Sequence, residues 1–157
     1  MNKIKIGIAV ADFNNEITLS MFNEAKKYAQ ELSTKVTYVC FVPGVFDMPL
    51  IVEEMLKKKS VDAIITLGAV IKGDTGHDRV IANNTARLLG DLSLKYHKPI
   101  ALGITGPEMT FEQAKDRIMP VSHHSVDTAI SMVKKLKKIK KKIKKNRLKN
   151  KDIKIID

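Results

Sequence analysis

Residues 63–77 read AIITLGAVIKGDTGH, an apolar run that ends abruptly in a polar turn holding two glycines and a histidine. A strand with one wet face alternates apolar and polar residues. A strand apolar at nearly every position suits a parallel sheet covered on both faces. Three other runs have this character: residues 3–11 with IKIGIAVA, residues 36–42 with VTYVCFV, and residues 100–105 with IALGIT. Helical spacing fills the gaps between them. Residues 16–30 place Leu19, Phe22, Ala25, Lys26 and Ala29 along one side, and residues 48–58 do the same with Leu50, Ile51, Met55 and Leu56. Residues 78–96 follow with Val80, Ile81, Asn84, Leu88, Leu92 and Tyr96. Strand–helix alternation of this kind predicts right-handed βαβ units. The expected fold is therefore α/β: a three-layer α/β/α sandwich around a four-stranded parallel sheet.

Beyond residue 105 the pattern is helical only. Thr110 with Gln113 reads as a capping box, and Pro120 predicts a break or kink. A long amphipathic helix follows, with Val126, Ile130, Val133, Leu136, Ile139 and Ile143 three or four apart. No internal repeat and no Gly/Ser/Pro linker interrupts the 157 residues. The expected division is one domain over residues 1–135 and a lysine-rich extension over residues 136–157.

Apolar residues make up 44% of the chain, the composition of a soluble globular protein. The opening MNKIKIGIAVADFNN is too short an apolar run for a signal peptide or a membrane span, and a cytoplasmic location is expected by default. One cysteine, Cys40, rules out an internal disulfide; within VTYVCFV it reads as a buried small hydrophobe. The net charge of +11 is unevenly placed. From Lys134 onward there are thirteen Lys or Arg and two acids, while residues 1–133 hold fifteen of each sign. The body is thus neutral, unlike a nucleic-acid-binding domain with a basic stripe on its folded face. RNA or membrane-surface binding by the tail remains open as an added role.

Ligands of open α/β sheets bind beyond the carboxyl ends of the strands. Four polar or glycine-containing stretches fall there: residues 12–15 (DFNN), 42–47 (VPGVFD), 72–77 (KGDTGH) and 106–108 (GPE). The third is the most informative. Its two glycines let main-chain N–H groups converge beside a helix N-terminus, as in an oxyanion or phosphate site, and His77 can move protons near neutral pH. An ordinary capped turn with a surface histidine reads the same way.

The strings FNNEIT, VPGVFDMP, LGAVIKGDTGH and EQAKDR, in this order and at this spacing, closely resemble the lumazine synthase family. The likeness covers residue 4 to about residue 135. It is nearest to the archaeal branch, since Asp47 replaces the more usual glutamate and Gly76 sits inside the loop. The resemblance implies the flavodoxin-like lumazine synthase fold. It also implies condensation of 5-amino-6-(D-ribitylamino)uracil with 3,4-dihydroxy-2-butanone 4-phosphate, giving 6,7-dimethyl-8-ribityllumazine, phosphate and water in riboflavin biosynthesis. No cofactor and no metal is expected; no cluster of His, Cys or carboxylate has ligand spacing.

Carried over position by position, the resemblance makes Phe13 the aromatic that stacks on the pyrimidinedione, where the bland alternative is a core residue at the helix start. Val45, Phe46 and Asp47 match the segment holding the ring and the ribityl chain. Asp47 would accept hydroxyl hydrogen bonds, or only cap the second helix. Ala69, Val70 and Ile71 match a strand end that reads the ring edge through backbone groups. Asp74 and Thr75 match the phosphate loop, and His77 the proton-transfer histidine. Leu102 stands where many relatives carry an aromatic supplied by the neighbouring subunit. Arg117 matches the arginine on the ketone's phosphate, as against a helix-surface arginine; its planar fork suits phosphate oxygens. The lysine that many relatives carry shortly after it is missing here, leaving His123 or His124 as candidates for a second contact.

The resemblance further implies self-association as a pentamer or a 60-mer shell. Active sites would lie between subunits, with Phe13, Asp47 and His77 from one chain and Leu102 and Arg117 from the next. Contact with riboflavin synthase is a further partner to consider. Archaeal riboflavin synthase itself is the rival enzyme reading, but it lacks the Gly-x-Thr-x-His loop retained here. A basic-tailed RNA- or membrane-surface-binding protein is the rival from another class.

Overall fold

A computed structural model describes residues 3–146, with side chains described through residue 141. Four strands form one parallel sheet in the order β2-β1-β3-β4: β1 Lys5–Ala11, β2 Lys35–Val42, β3 Ala63–Ile71 and β4 Ile100–Met109. The helices between them are α1 Asn15–Glu31, α2 Met48–Leu56 and α3 His77–Tyr96, with a 3-10 turn over Val45–Asp47 ahead of α2. After β4 come α4 Phe111–Asp116 and the long α5 Ile118–Asn146. The α/β/α sandwich expected from the alternation is present. No helix among the described residues is long and apolar enough to cross a membrane.

Two separate cores lie on the two faces of the sheet. Ile6, Ile8, Val10, Ile65 and Leu67 meet α1 and α5 on one face; Ala9, Ala11, Ile64 and Val70 meet α2 and α3 on the other. Every residue of β3 except the last is buried, which is what its unbroken apolar pattern requires. β2 does not share that fate. It is an edge strand, with Tyr38, Val39 and Phe41 each about 40% exposed or slightly more and Cys40 only half-buried, so two-sided cover fails there.

The helix stripes differ from the sequence reading in a consistent way. Leu19, Leu50 and Val80, expected on buried faces, are exposed. Ala25, Ala29, Met55 and Leu56 are buried as read, and the buried faces also take in Ile17 and Met21 in α1, Met48 and Val52 in α2, and Ala82, Thr85 and Leu89 in α3. Small side chains at several of these positions let the helix axis approach the strands, and larger ones flank them. In α5 the stripe holds through Val126, Ile130 and Val133, Leu136 is half-buried and Ile139 is exposed. The side chain of Ile143 lies outside the described residues. The helix continues through residues 135 and 136 to Asn146.

Two further elements depart from expectation. Residues 106–108 are not a loop beyond β4 but part of it. Ala69 pairs with Thr105 and Ile71 with Met109, so β4 carries extra residues opposite Val70 and bulges outward. Gly106, at φ 98°, makes this possible, because a Cβ there would stand 2.1 Å from the Val70 carbonyl oxygen. Pro120 does not kink a continuing helix either. The break falls at Arg117, and Pro120 sits in the first turn of α5, where its missing N–H has no helical acceptor to lose.

The capping box forms as read. Thr110 Oγ1 accepts from Gln113 N at 3.2 Å, and Thr110 N donates to Gln113 Oε1 at 2.9 Å. Thr110→Ala should lower stability by about 1 kcal/mol. A urea midpoint indistinguishable from that of the unsubstituted chain would show that the cap contributes nothing.

Candidate active site

The strand order reverses direction between β1 and β3, and α1 and α3 leave from opposite faces of the sheet there. That divergence opens a crevice at the carboxyl ends of the two strands, the usual ligand position in such sheets. It holds a cavity of about 500 Å³, within the range of small-molecule sites. Phe13, Val45, Phe46 and Asp47 line it from the β1–α1 and β2–α2 connections. Ala69, Val70 and Ile71 enter from the end of β3, and Thr75 and His77 from the loop and first turn of α3. Residues spread over positions 13 to 77 thus converge on one hollow.

Each wall has an identifiable cause. Asn14 takes the left-handed conformation at φ 60°, which Asn tolerates better than most residues, and its Nδ2 donates to Ala69 O at 2.8 Å. This ties the β1–α1 turn to the end of β3. Phe13 N donates to Pro43 O at 3.0 Å, joining the same turn to the β2–α2 connection. Phe13 is held there 72% exposed, which excludes the core-residue alternative. Phe46, 59% exposed, is the second aromatic on the cavity. Two open aromatic faces at one hollow suit a flat heterocycle.

Asp47 occupies the N-cap position of α2, but its side chain does not cap that helix. Its Oδ2 accepts from Gly44 N at 2.9 Å instead, shaping the 3-10 turn. A carboxylate has several acceptor sites, so this bond leaves capacity for hydroxyl donors in the cavity. Gly68 lies beneath the turn: a Cβ there would be 2.5 Å from Val45 Cγ2, so the wall can sit this low only over glycine. Thr85 Oγ1 donates to Val45 O at 3.4 Å from α3 and holds the wall from behind.

His77 is the first residue of α3, exposed, after Gly76 in the left-handed conformation at φ 66°. First-turn N–H groups of a helix have no helical partner and carry the positive end of its dipole. Histidine and anion-binding backbone therefore meet at one rim. Asp74 is exposed in the same loop but does not line the cavity.

Sequence reasoning missed Asn14 and Asp78. Asp78 is 5% exposed at the cavity, and its Oδ2 accepts from Glu108 N at 2.8 Å. It pins the β4 bulge against the first turn of α3, and Arg79 pairs with Glu108 beside it. The adjoining strings FNN and GHD held both residues. What the strings could not convey was that the fourth connection is a bulge in need of an anchor.

Leu102 and Arg117 do not reach this cavity within the chain. Leu102 is 51% exposed on β4. Arg117 ends α4 and lines a separate recess with Glu108, Met109, Gln113 and Asp116. Neither histidine lines that recess. The His123 ring stacks on Tyr28 at 4.0 Å between centroids, with Nε2 3.4 Å from Glu24, and His124 Nε2 lies 3.4 Å from Thr128 Oγ1. Among the described residues no three His, Cys, Asp or Glu side chains gather as a metal cluster.

Comparison with known proteins adds an independent line. A model of the family described as 6,7-dimethyl-8-ribityllumazine synthase matches residues 3–140. The protein of that name from Metallosphaera sedula is 47% identical over 136 residues, covering 87% of this chain and 90% of that one. Those from Methanococcus aeolicus and Methanocaldococcus jannaschii are 47% and 46% identical over 133 and 134 residues, covering 97% and 94% of their own lengths. With a match of this extent, and three of the four motifs converging on one cavity, the chain belongs to the 6,7-dimethyl-8-ribityllumazine synthase family.

Proposed function

We propose that this chain condenses 5-amino-6-(D-ribitylamino)uracil with 3,4-dihydroxy-2-butanone 4-phosphate to form 6,7-dimethyl-8-ribityllumazine. The observation that carries the reading is the convergence of Phe13, Phe46, Asp47, Thr75 and His77 on a single cavity at the β1/β3 switch point. A flat pyrimidinedione would lie against Phe13, with its edge read by backbone groups of Ala69, Val70 and Ile71. The ribityl chain would follow Val45 and Phe46 to the Asp47 carboxylate. The ketone phosphate would sit at the rim beside Asp74, Thr75 and the α3 N-terminus, where helix N–H groups favour an anion.

The 5-amino group then attacks the ketone carbonyl and water leaves, forming an imine. Loss of phosphate and closure by the ribityl-bearing nitrogen, with a second loss of water, complete the ring. His77 stands where it can move protons for these steps. No redox change occurs. Incubating the purified protein with both substrates and following lumazine absorbance tests the reading directly; no lumazine from a correctly folded protein would refute it.

In a single chain the cavity lacks a cationic side chain for the phosphate, and Arg117 lies in a recess beyond the β4 bulge. We take this as support for a shared site, completed by Arg117 and Leu102 of a second copy. The apolar side chains left open on edge strand β2, with Phe41 packed edge-to-face on Phe22 at 5.4 Å, also favour association. A pentamer, or twelve of them in a shell, is the expected assembly. Sedimentation should find five copies or a multiple of five; an active monomer would sink the shared site. We assign residues 136–157 to an extension that this chemistry does not need, and the enzyme to the cytoplasm, with riboflavin synthase as a partner to test.

Amines condense with ketones in water unaided, so holding the two substrates together should outweigh acid–base help. Orientation can supply roughly 7–11 kcal/mol, against about 10²–10⁴-fold for a general acid or base. His77→Ala should therefore keep clear activity, with a loss near the lower end of that second range. Arg117→Ala should raise KM for the ketone phosphate and leave pyrimidinedione binding nearly unchanged. Should His77→Ala be dead while Arg117→Ala keeps a normal KM, both roles are misassigned.

A further inference from the structure

The opposite edge of the sheet has a different character. Where β3 and β4 begin, a notch of about 190 Å³ lies between the α3–β4 connection and α5, lined by Asp62, His97, Lys98, Lys137 and Lys140 above an apolar floor of Val133 and Leu136. Among the described residues Asp62 is the only carboxylate lining it, and its Oδ2 already accepts from Lys5 N at 2.9 Å, with Lys137 Nζ 3.9 Å away. Lys98 Nζ donates to the carbonyls of Leu56 and Lys58, which complete the end of α2, and burial lowers its pKa. The charge presented to a ligand is accordingly that of Lys137 and Lys140.

From this notch α5 runs outward to Asn146. Residues 134–146 hold nine lysines and no acid. At 1.5 Å per residue they cover roughly 20 Å. Lys134 and Lys138, and Lys137 and Lys141, stand four apart, a spacing at which like charges on a helix are mildly destabilising. A polyanion would relieve that repulsion, and the body offers no comparable excess of charge.

We propose that this notch and the lysine face of α5 bind the phosphodiester backbone of a nucleic acid without reading its bases. Two features select this occupant over an anionic membrane. α5 carries no Phe, Tyr or Trp, and Tyr96 in the notch is half-buried with its hydroxyl donating to Glu53 Oε1 at 2.7 Å, so neither base stacking nor an interfacial aromatic anchor is on offer. Of the apolar residues described from Met132 on, Val133 is buried and Leu136 forms the notch floor, leaving Met132 and Ile139 exposed. Phosphate contact by lysine needs neither feature.

The proposal is independent of the condensation reaction, since the notch lies at the edge of the sheet opposite the cavity. A fluorescein-labelled oligouridine RNA, titrated with the full-length protein and followed by anisotropy over a series of KCl concentrations, tests it. Binding should weaken steeply with salt, with log K falling about 0.7 for each phosphate neutralised per unit of log[KCl]. Lys137→Glu with Lys140→Glu should weaken it at least tenfold while lumazine formation and oligomeric state stay unchanged. A chain ending at residue 146 should retain most of the binding, because the segment beyond carries four bases against two acids. RNA affinity unaffected by the double substitution, or lost entirely on removing residues 147–157, would overturn the assignment. So would binding to phosphatidylserine vesicles with none to RNA.

Discussion

All but the last residue of β3 is buried, and that requirement for cover on both faces organises the rest of the molecule. Helices must pack on each side of the strand, and its parallel neighbours β1 and β4 must be reached by crossovers that supply those helices. Because β1 and β3 are adjacent and their helices depart to opposite faces, a crevice at their carboxyl ends follows from connectivity alone. Ala69, Val70 and Ile71 then place the end of the most thoroughly buried strand on the cavity floor.

The cavity is built by cross-links between connections rather than by any one loop. Asn14 ties the first connection to β3, Phe13 N ties it to the second, and Asp78 ties the β4 bulge to α3. These bonds hold two aromatic faces open to solvent, a costly arrangement that a bound ring would cover. The contrast between the two ends of the sheet is chemical as well as geometric. Among the described residues, the cavity at one end has two exposed aromatic rings and no lysine or arginine, whereas the notch at the other is lined by Lys98, Lys137 and Lys140.

The strands, the sheet class and the strand ends that form the cavity were legible from local rules, uninterrupted apolar runs and glycine-containing turns, while the individual residues on the cavity came from the family resemblance. What could not be read locally depended on neighbours. Leu19, Leu50 and Val80 have the spacing of a core face but lie off its centre, which Ile17 and Met21, Met48 and Val52, and Ala82 and Leu89 occupy instead. The β4 bulge depends on the match between Gly106 and the Val70 carbonyl across the ladder. His123 was a phosphate candidate on sequence grounds, yet its ring stacks on Tyr28 of α1, a partner 95 positions away in the chain.

In one chain the groups that would hold the pyrimidinedione and the arginine that would hold the phosphate face different hollows. On the proposed reading, catalysis belongs to the contact between copies. The most direct measurement is complementation between two damaged chains. His77→Ala and Arg117→Ala subunits, coexpressed with different tags and isolated as mixed assemblies, would be assayed at limiting ketone phosphate. Shared sites predict that some contacts pair an intact His77 with an intact Arg117, so the mixed assembly should exceed both parent variants. Activity no higher than the average of the two parents would contradict a site built from two subunits.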